Sequence, residues 1–226
     1  VQALAAVLEK RGSRDLLKML LDLAKSKDID ATARHGIFNG IASIGGPNEL
    51  RAIFSEEFHA TPASQAAAFV ALRHAATGRN LKPAGDLAAP LKSALASNVP
   101  ALQTAALALA GQWRSTELAP DIRALAKGAK AEPVQTAALN ALGKLGAKDR
   151  LLDELLADPK TAAPVKLAAL EAQSRVDLAA AVGHGMKLLA ADPAPVLAVF
   201  LAREGGPQAL AAALQKTKLP AEPAAK

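Results

Sequence analysis

The sequence predicts an all-α chain, a right-handed α-α superhelix of about seven helical hairpins with no β-sheet. Three observations predict it. First, residues 103–113 read QTAALALAGQW and residues 135–145 read QTAALNALGKL, the same phrase 32 positions apart. Second, the chain is 51% hydrophobic but only 3% aromatic, with no Tyr. Its apolar content is therefore mostly Ala and Leu, the best apolar helix formers. Third, an apolar stripe of helical period recurs along the chain, and no segment alternates with the period of 2 that a strand requires.

The stripe is clearest from Val134, where Val134, Ala137, Ala138, Ala141, Leu142 and Leu145 fall at offsets 0, 3, 4, 7, 8 and 11. These offsets trace one helix face. The pattern recurs from Ala33, Ser64, Leu102, Val165 and Val196, and the spacings of the starts are 31, 38, 32, 31 and 31. Ala3, Leu4, Val7 and Leu8 fit a truncated first copy. A period of this size marks a chain of stacked supersecondary units. The expected units are 1–30, 31–61, 62–99, 100–131, 132–162, 163–193 and 194–219, followed by a linker-like tail at 220–226.

Each unit holds two helices. The first opens near Pro62, Pro100, Pro133, Pro164 or Pro195, and the residue before a proline is pushed out of helical geometry. It ends near Gly12, Gly45, Gly146 or Gly205, as helices capped by glycine do. The second helices are SRDLLKMLLDLAKSK, PNELRAIFSEEF, LAAPLKSALAS, LAPDIRALAKGA, RLLDELLAD, DLAAAVGHGMKLLA and PQALAAALQK. Ser13, Pro47, Asp86 and Pro207 suit their first turns. The paired alanines of QTAAL are expected where neighbouring helices cross, because a Leu there would overpack at about 1–3 kcal/mol.

Composition narrows the function. With no Cys, the chain has no disulfide, thiolate metal site or Cys nucleophile. The net charge of +6 and pI near 9.7 fit solvated Lys and Arg on outer helix faces, since no dense basic run appears. No apolar run reaches the roughly 18 residues that span a bilayer, so no membrane span is expected. The chain starts VQALAAVLEKRG without Met and ends LPAEPAAK, which reads as a piece of a larger protein.

At EPVQTAALNALGKLGAKDRLLDELLAD (132–158) the sequence resembles a HEAT repeat, and so an armadillo-type solenoid. The family pattern is met by Pro133, Val134, Ala137, Ala138, Ala141, Leu142, Gly143, Leu145, Gly146 and the leucines from Leu151 to Leu156. The resemblance covers most of the chain, weakest at 47–62 and after 203. It departs after the valine, where the family often carries Arg and this chain has Gln135, Lys166 and Leu197. The Ala-rich, Cys-free units also resemble the HEAT array of large exported bacterial proteins. Those proteins join a β-propeller dehydrogenase-like domain, a HEAT-like array and a c-type haem domain. The resemblance implies a periplasmic or exported setting and an oxidoreductase parent. It places haem c elsewhere in that parent and no cofactor in this chain.

The sequence holds no catalytic constellation. His35, His59, His74 and His184 form no HxxxH or HExxH spacing. His35 is expected partly buried and hydrogen-bonded. In GHGMK the expected role of Gly183 and Gly185 is close packing or a kink, not a phosphate loop. Glu56 and Glu57 face solvent, Asp153 and Glu154 share a solvated face with Lys144 and Lys160, and Trp113 belongs to the core. The chain is therefore expected to be a non-enzymatic scaffold or interaction module, binding neighbouring domains of its own polypeptide or a protein partner. The alternative is a nucleic-acid-binding HEAT-like protein of the DNA glycosylase type. Basic charge and length favour it, and the scarcity of aromatics for base stacking opposes it. The candidate contact site is the insertion that stretches one spacing to 38. In it Arg79, Asn80, Leu81 and Lys82 are expected to touch a partner, because inserted solenoid loops collect on one face. Replacing GRNLKPAG by a short turn is expected to weaken docking and leave the melting temperature nearly unchanged.

Overall fold

The computed structural model describes residues 13–26, 29–55 and 61–216. The stripe at Ala3, Leu4, Val7 and Leu8, the cap at Gly12, the residues Glu56, Glu57 and His59, and the tail 220–226 lie outside them. The described residues form helices and turns with no strand. Their contacts divide the chain into Val1–Leu118 and Ala119–Lys226. The division falls inside the expected unit 100–131, between its two helices.

The first part contains α1 (Ser13–Lys25), α2 (Ala31–Ile44), α3 (Pro47–Phe54), α4 (Pro62–Arg79), α5 (Ala88–Leu95) and α6 (Pro100–Trp113), then a 3-10 turn at Thr116–Leu118. Here α4 packs on α2 and α6 packs on α4, while α1, α3 and α5 pack alongside. The second part contains α7 (Ala119–Gly128), α8 (Glu132–Leu145), α9 (Arg150–Ala157), α10 (Ala163–Val176), α11 (Leu178–Leu188), α12 (Pro193–Leu201) and α13 (Gly206–Lys216). Here α10 packs on α8 and α12 packs on α10, with α7, α9, α11 and α13 alongside. The helices that carry the repeated stripe, called A helices below, are α2, α4, α6, α8, α10 and α12.

Local chemistry sets the helix ends. Pro62 and Pro100 open α4 and α6, and Pro133 and Pro164 sit one residue inside α8 and α10. Asp30 Oδ1 accepts the Ala33 N–H at 2.8 Å, and Thr61 Oγ1 accepts the Ser64 N–H at 3.2 Å. Both satisfy first-turn donors that have no partner within the helix. Gly146 ends α8 in the left-handed region (φ 78), which costs glycine nothing. Gly45, by contrast, is extended (φ −68).

The A helices are buried on a wider arc than the six-position stripe. The stripe residues Val134, Ala138, Ala141 and Leu142 of α8 are buried, and so is Leu139 at offset 5. A helix with neighbours on two sides has two faces to fill, and Leu139 belongs to the second. In the first part the core centres on Phe54. Its ring lies 5.3 Å from Phe69 and meets Trp113 edge-on at 5.7 Å, a geometry worth about 0.5–1.5 kcal/mol beyond burial. Trp113 is thus in the core as expected, although its buried indole N–H has no hydrogen-bond partner.

Glycine marks the closest helix crossings. A Cβ on Gly143 of α8 would lie 2.7 Å from Ala172 Cα of α10, so this pair of helices approaches backbone to backbone. The two glycines of GHGMK behave differently. A Cβ on Gly185 would meet the Phe200 ring at 2.6 Å, whereas one on Gly183 meets nothing within 4 Å. Phe200 is fully buried. Gly185→Ala is therefore expected to destabilise by about 1–3 kcal/mol through overpacking. Gly183→Ala should stabilise by about 0.5–1 kcal/mol through helix propensity. Urea titration of the two variants checks this, and shifts of the same sign would refute the packing account.

Candidate functional site

In three of the six copies the residue after the stripe start is a clamp on the preceding helix. In α2, Arg34 donates from Nη1 to Ala24 O at 2.9 Å and from Nη2 to Ser26 O at 2.8 Å. In α6, Gln103 Nε2 donates to Leu95 O at 3.0 Å. In α8, Gln135 Nε2 donates to Ala126 O at 2.9 Å. Each acceptor lies in or just past the last turn of the preceding helix, where carbonyls have no intrahelical partner. The glutamine of QTAAL fills with an amide the role that Arg34 fills with a guanidinium. Position 166 holds Lys and position 197 holds Leu, which is exposed.

The candidate loop is built from the same chemistry. The chain does not leave the helix at residue 76, as its glycines and proline suggest. Instead α4 continues through Gly78 to Arg79, and Asn80 ends it in the left-handed region (φ 51). A glycine inside a helix costs about 1 kcal/mol. Arg79 offsets this by donating to Ala42 O at 2.9 Å and Gly45 O at 2.8 Å, the open end of α2. Lys82 Nζ donates to Trp113 O at 2.9 Å, at the end of α6. The Ala84 N–H bonds Pro47 O at 2.9 Å, and the Arg51 guanidinium donates to Asp86 O. Pro83 is buried. Of the four candidate contact residues, then, Arg79 and Lys82 are exposed residues whose charged tips hold helix ends. Asn80 is exposed and Leu81 half-buried.

A second polar cluster lies in the Ala119–Lys226 part. Asp153 Oδ1 is 3.1 Å from His184 Nε2 and 3.4 Å from Gln173 Nε2. Asp153 thus has partners beyond solvent, 20 and 31 residues away in sequence. His35 is exposed, and the buried place in its turn goes to Arg34. It lines a groove of about 550 Å³ between the first turns of α2 and α4, with Thr32, Arg34 and Ser64. A groove of about 500 Å³ lies at the matching register between α10 and α12, lined by Pro164, Lys166, Leu167 and Val196. Among the described residues no group of three or more His, Asp or Glu is placed to hold a metal. No described helix is long and apolar enough to cross a membrane.

Two carboxylates join helix starts to basic partners. Asp149 caps α9 through the Leu151 N–H at 3.0 Å and receives Arg123 at 2.7 and 2.8 Å. Asp177 caps α11 through the Ala180 N–H at 3.0 Å and receives Lys148 at 2.7 Å. For Asp149 partial burial pushes the carboxyl up, but the Arg123 bond, the Leu151 N–H and the Arg123 charge together outweigh it and hold it below 3.8. For Asp177 the Lys148 bond is the main cause of lowering. A carboxyl lowered on folding stabilises fully above its unfolded value and loses that contribution as pH falls through the folded value. The urea midpoint is therefore expected to fall below about pH 4. Asn retains a capping acceptor without the charge, so an Asp149→Asn/Asp177→Asn variant should lose less on acidification. Equal acid losses in variant and unsubstituted chain would refute this.

Comparison of the chain with protein-family models, with curated proteins and with solved structures returns no match.

Proposed function

We propose that the chain is a non-catalytic helical-repeat scaffold or protein-interaction module. Its hairpins are of HEAT type, stacked with a right-handed sense, and it serves neighbouring domains of its own polypeptide or a separate protein. The observation that carries this reading is the recurrence of one clamp at one register, Arg34, Gln103 and Gln135, each fixing the end of the preceding helix. Within each of the two parts, a device repeated in this way ties a helix to the end of the one before it. The same reading places the chain in a larger exported or periplasmic electron-transfer protein whose haem c and dehydrogenase-like chemistry lie in other domains.

The test has two parts. The coding sequence on either side is read for an in-frame CxxCH motif, which supports the electron-transfer parent; flanking stop and start signals remove it. The purified chain is assayed for binding to that polypeptide's other domains. Turnover by the chain alone, lost on substituting a groove residue such as Lys166, overturns the scaffold reading.

The nucleic-acid reading is favoured by the +6 charge. Against it, the described aromatics Phe38, Phe54, Phe69, Phe200 and Trp113 are all buried, which leaves none of them to stack on a base. Submicromolar, salt-sensitive binding to a DNA duplex at physiological salt would restore it.

A further inference from the structure

The residue at offset 5 of an A helix is Phe38, Phe69, Leu107, Leu139 or Leu170 in the first five copies, and each is 0% exposed. In the sixth copy it is Leu201, and it is 68% exposed. The difference follows the packing. In the second part, α8 is followed by α10 and α10 by α12, each laid on the one before. Among the described residues no A helix follows α12.

The rest of α12 has the same character. From Pro193 to Ala202 the sequence PAPVLAVFLA contains no polar side chain. One stripe, Val196, Val199 and Phe200, is buried. The other, Ala194, Leu197, Ala198, Leu201 and Ala202, is exposed throughout. Its offsets are 0, 3, 4, 7 and 8, a complete apolar helix face. A helix apolar all round is ordinarily a covered helix, and a terminal repeat that faces water ordinarily has a polar outer face.

We infer that the Leu197–Leu201 face of α12 is a docking site for an amphipathic α-helix from another polypeptide segment, laid on α12 as α10 is laid on α8. Continuity of register selects this occupant. The exposed face carries the offset-5 position that is buried in the five preceding copies, while Leu197 and Ala198 stand where Lys166 and Leu167 of α10 line a groove. In α10, the covering helix, the stripe is small, with Ala168, Ala169 and Ala172 buried, so the partner is expected to present alanines there. A membrane surface is disfavoured, because Asp192, Arg203 and Glu204 flank the patch and supply no basic cluster to meet anionic lipid. The inference rests on the interaction-module reading and names the surface.

The test uses the chain with a single cysteine at the site, Leu201→Cys, since the sequence has none of its own. The probe is a stapled, helical peptide with the sequence of residues 163–176. The expected result is saturable binding below about 1 mM that slows labelling of the introduced thiol. Leu201→Asp, in the otherwise unsubstituted chain, should weaken binding about tenfold or more, about 1.4 kcal/mol. Met19→Asp, at another exposed apolar site, on α1, should leave it unchanged. Circular dichroism confirms that both variants are folded. No saturable binding at that concentration overturns the inference. A dimer by sedimentation that Leu201→Asp disrupts assigns the face to a second copy and overturns it as well. So does binding to anionic vesicles that Leu201→Asp abolishes. If the parent's other domains bind the Leu201→Asp chain as well as the original, the scaffold reading stands and α12 is removed as its site.

Discussion

Arg34→Met is expected to lower the free energy of unfolding by about 2–4 kcal/mol. Arg34 is 7% exposed and donates to two carbonyls at the end of α1. Methionine fills the volume of the aliphatic stem but donates nothing. Ala24 O and Ser26 O then lose charge-assisted bonds worth about 1.5–3 kcal/mol each, reduced by whatever water reaches Ser26. Ala24 is fully buried, so its carbonyl has little access to solvent. Arg34→Gln should recover roughly half the loss, because one amide serves one carbonyl, as Gln103 and Gln135 do. Urea unfolding of the three proteins measures the series. A loss below about 0.5 kcal/mol for Arg34→Met, within the range of ordinary surface substitutions, would mean that the clamp contributes nothing to stability.

Excising the loop is the second large effect. Replacing GRNLKPAG by a short turn removes the Arg79 bonds to Ala42 O and Gly45 O, the Lys82 bond to Trp113 O, the Ala84 contact with Pro47 and the last residues of α4. Lengthening a surface loop costs only about 0.6 kcal/mol per doubling, which is why the sequence suggests a nearly neutral deletion. The bonds reverse that expectation. The loop closes the ends of two helices, and its loss should destabilise by about 2–4 kcal/mol. For a chain of this size that lowers the melting temperature by several degrees. Arg79→Ala/Lys82→Ala, which keeps the backbone, should reproduce most of the effect. An unchanged melting temperature in both would restore the neutral reading of the insertion.

Sequence and structure agree where a feature depends on near neighbours. The Ala and Leu stripe gives the helices, and the prolines mark where α4, α6, α8 and α10 begin. The second helices follow the expected segments to within a few residues. What escaped the sequence depends on residues one repeat away. Gly78 reads as a helix breaker because Arg79's partners lie 34 and 37 residues back. Asp153 reads as solvated because His184 lies 31 residues on. The second buried face at Phe38, Phe69, Leu107, Leu139 and Leu170 is absent from a pattern that asks for one face only. One signal was available. The Gln of QTAAL recurs at one offset, at Gln65, Gln103 and Gln135, and a polar residue repeated beside an apolar stripe asks for a partner of its own.

The clamps have a consequence for a chain that emerges from the ribosome one end first. Leu95 O is closed by Gln103 and Ala126 O by Gln135, residues 8 and 9 positions later. The end of each such helix therefore stays open until the next A helix has begun to appear. At synthesis rates of about 5–20 residues per second, that interval is of order a second. During it the newest helix has a loose C-terminal turn and an apolar face with nothing on it. Completion passes from older segments to newer ones, so a ribosome that stalls within the first turn of an A helix would hold the preceding helix unfinished.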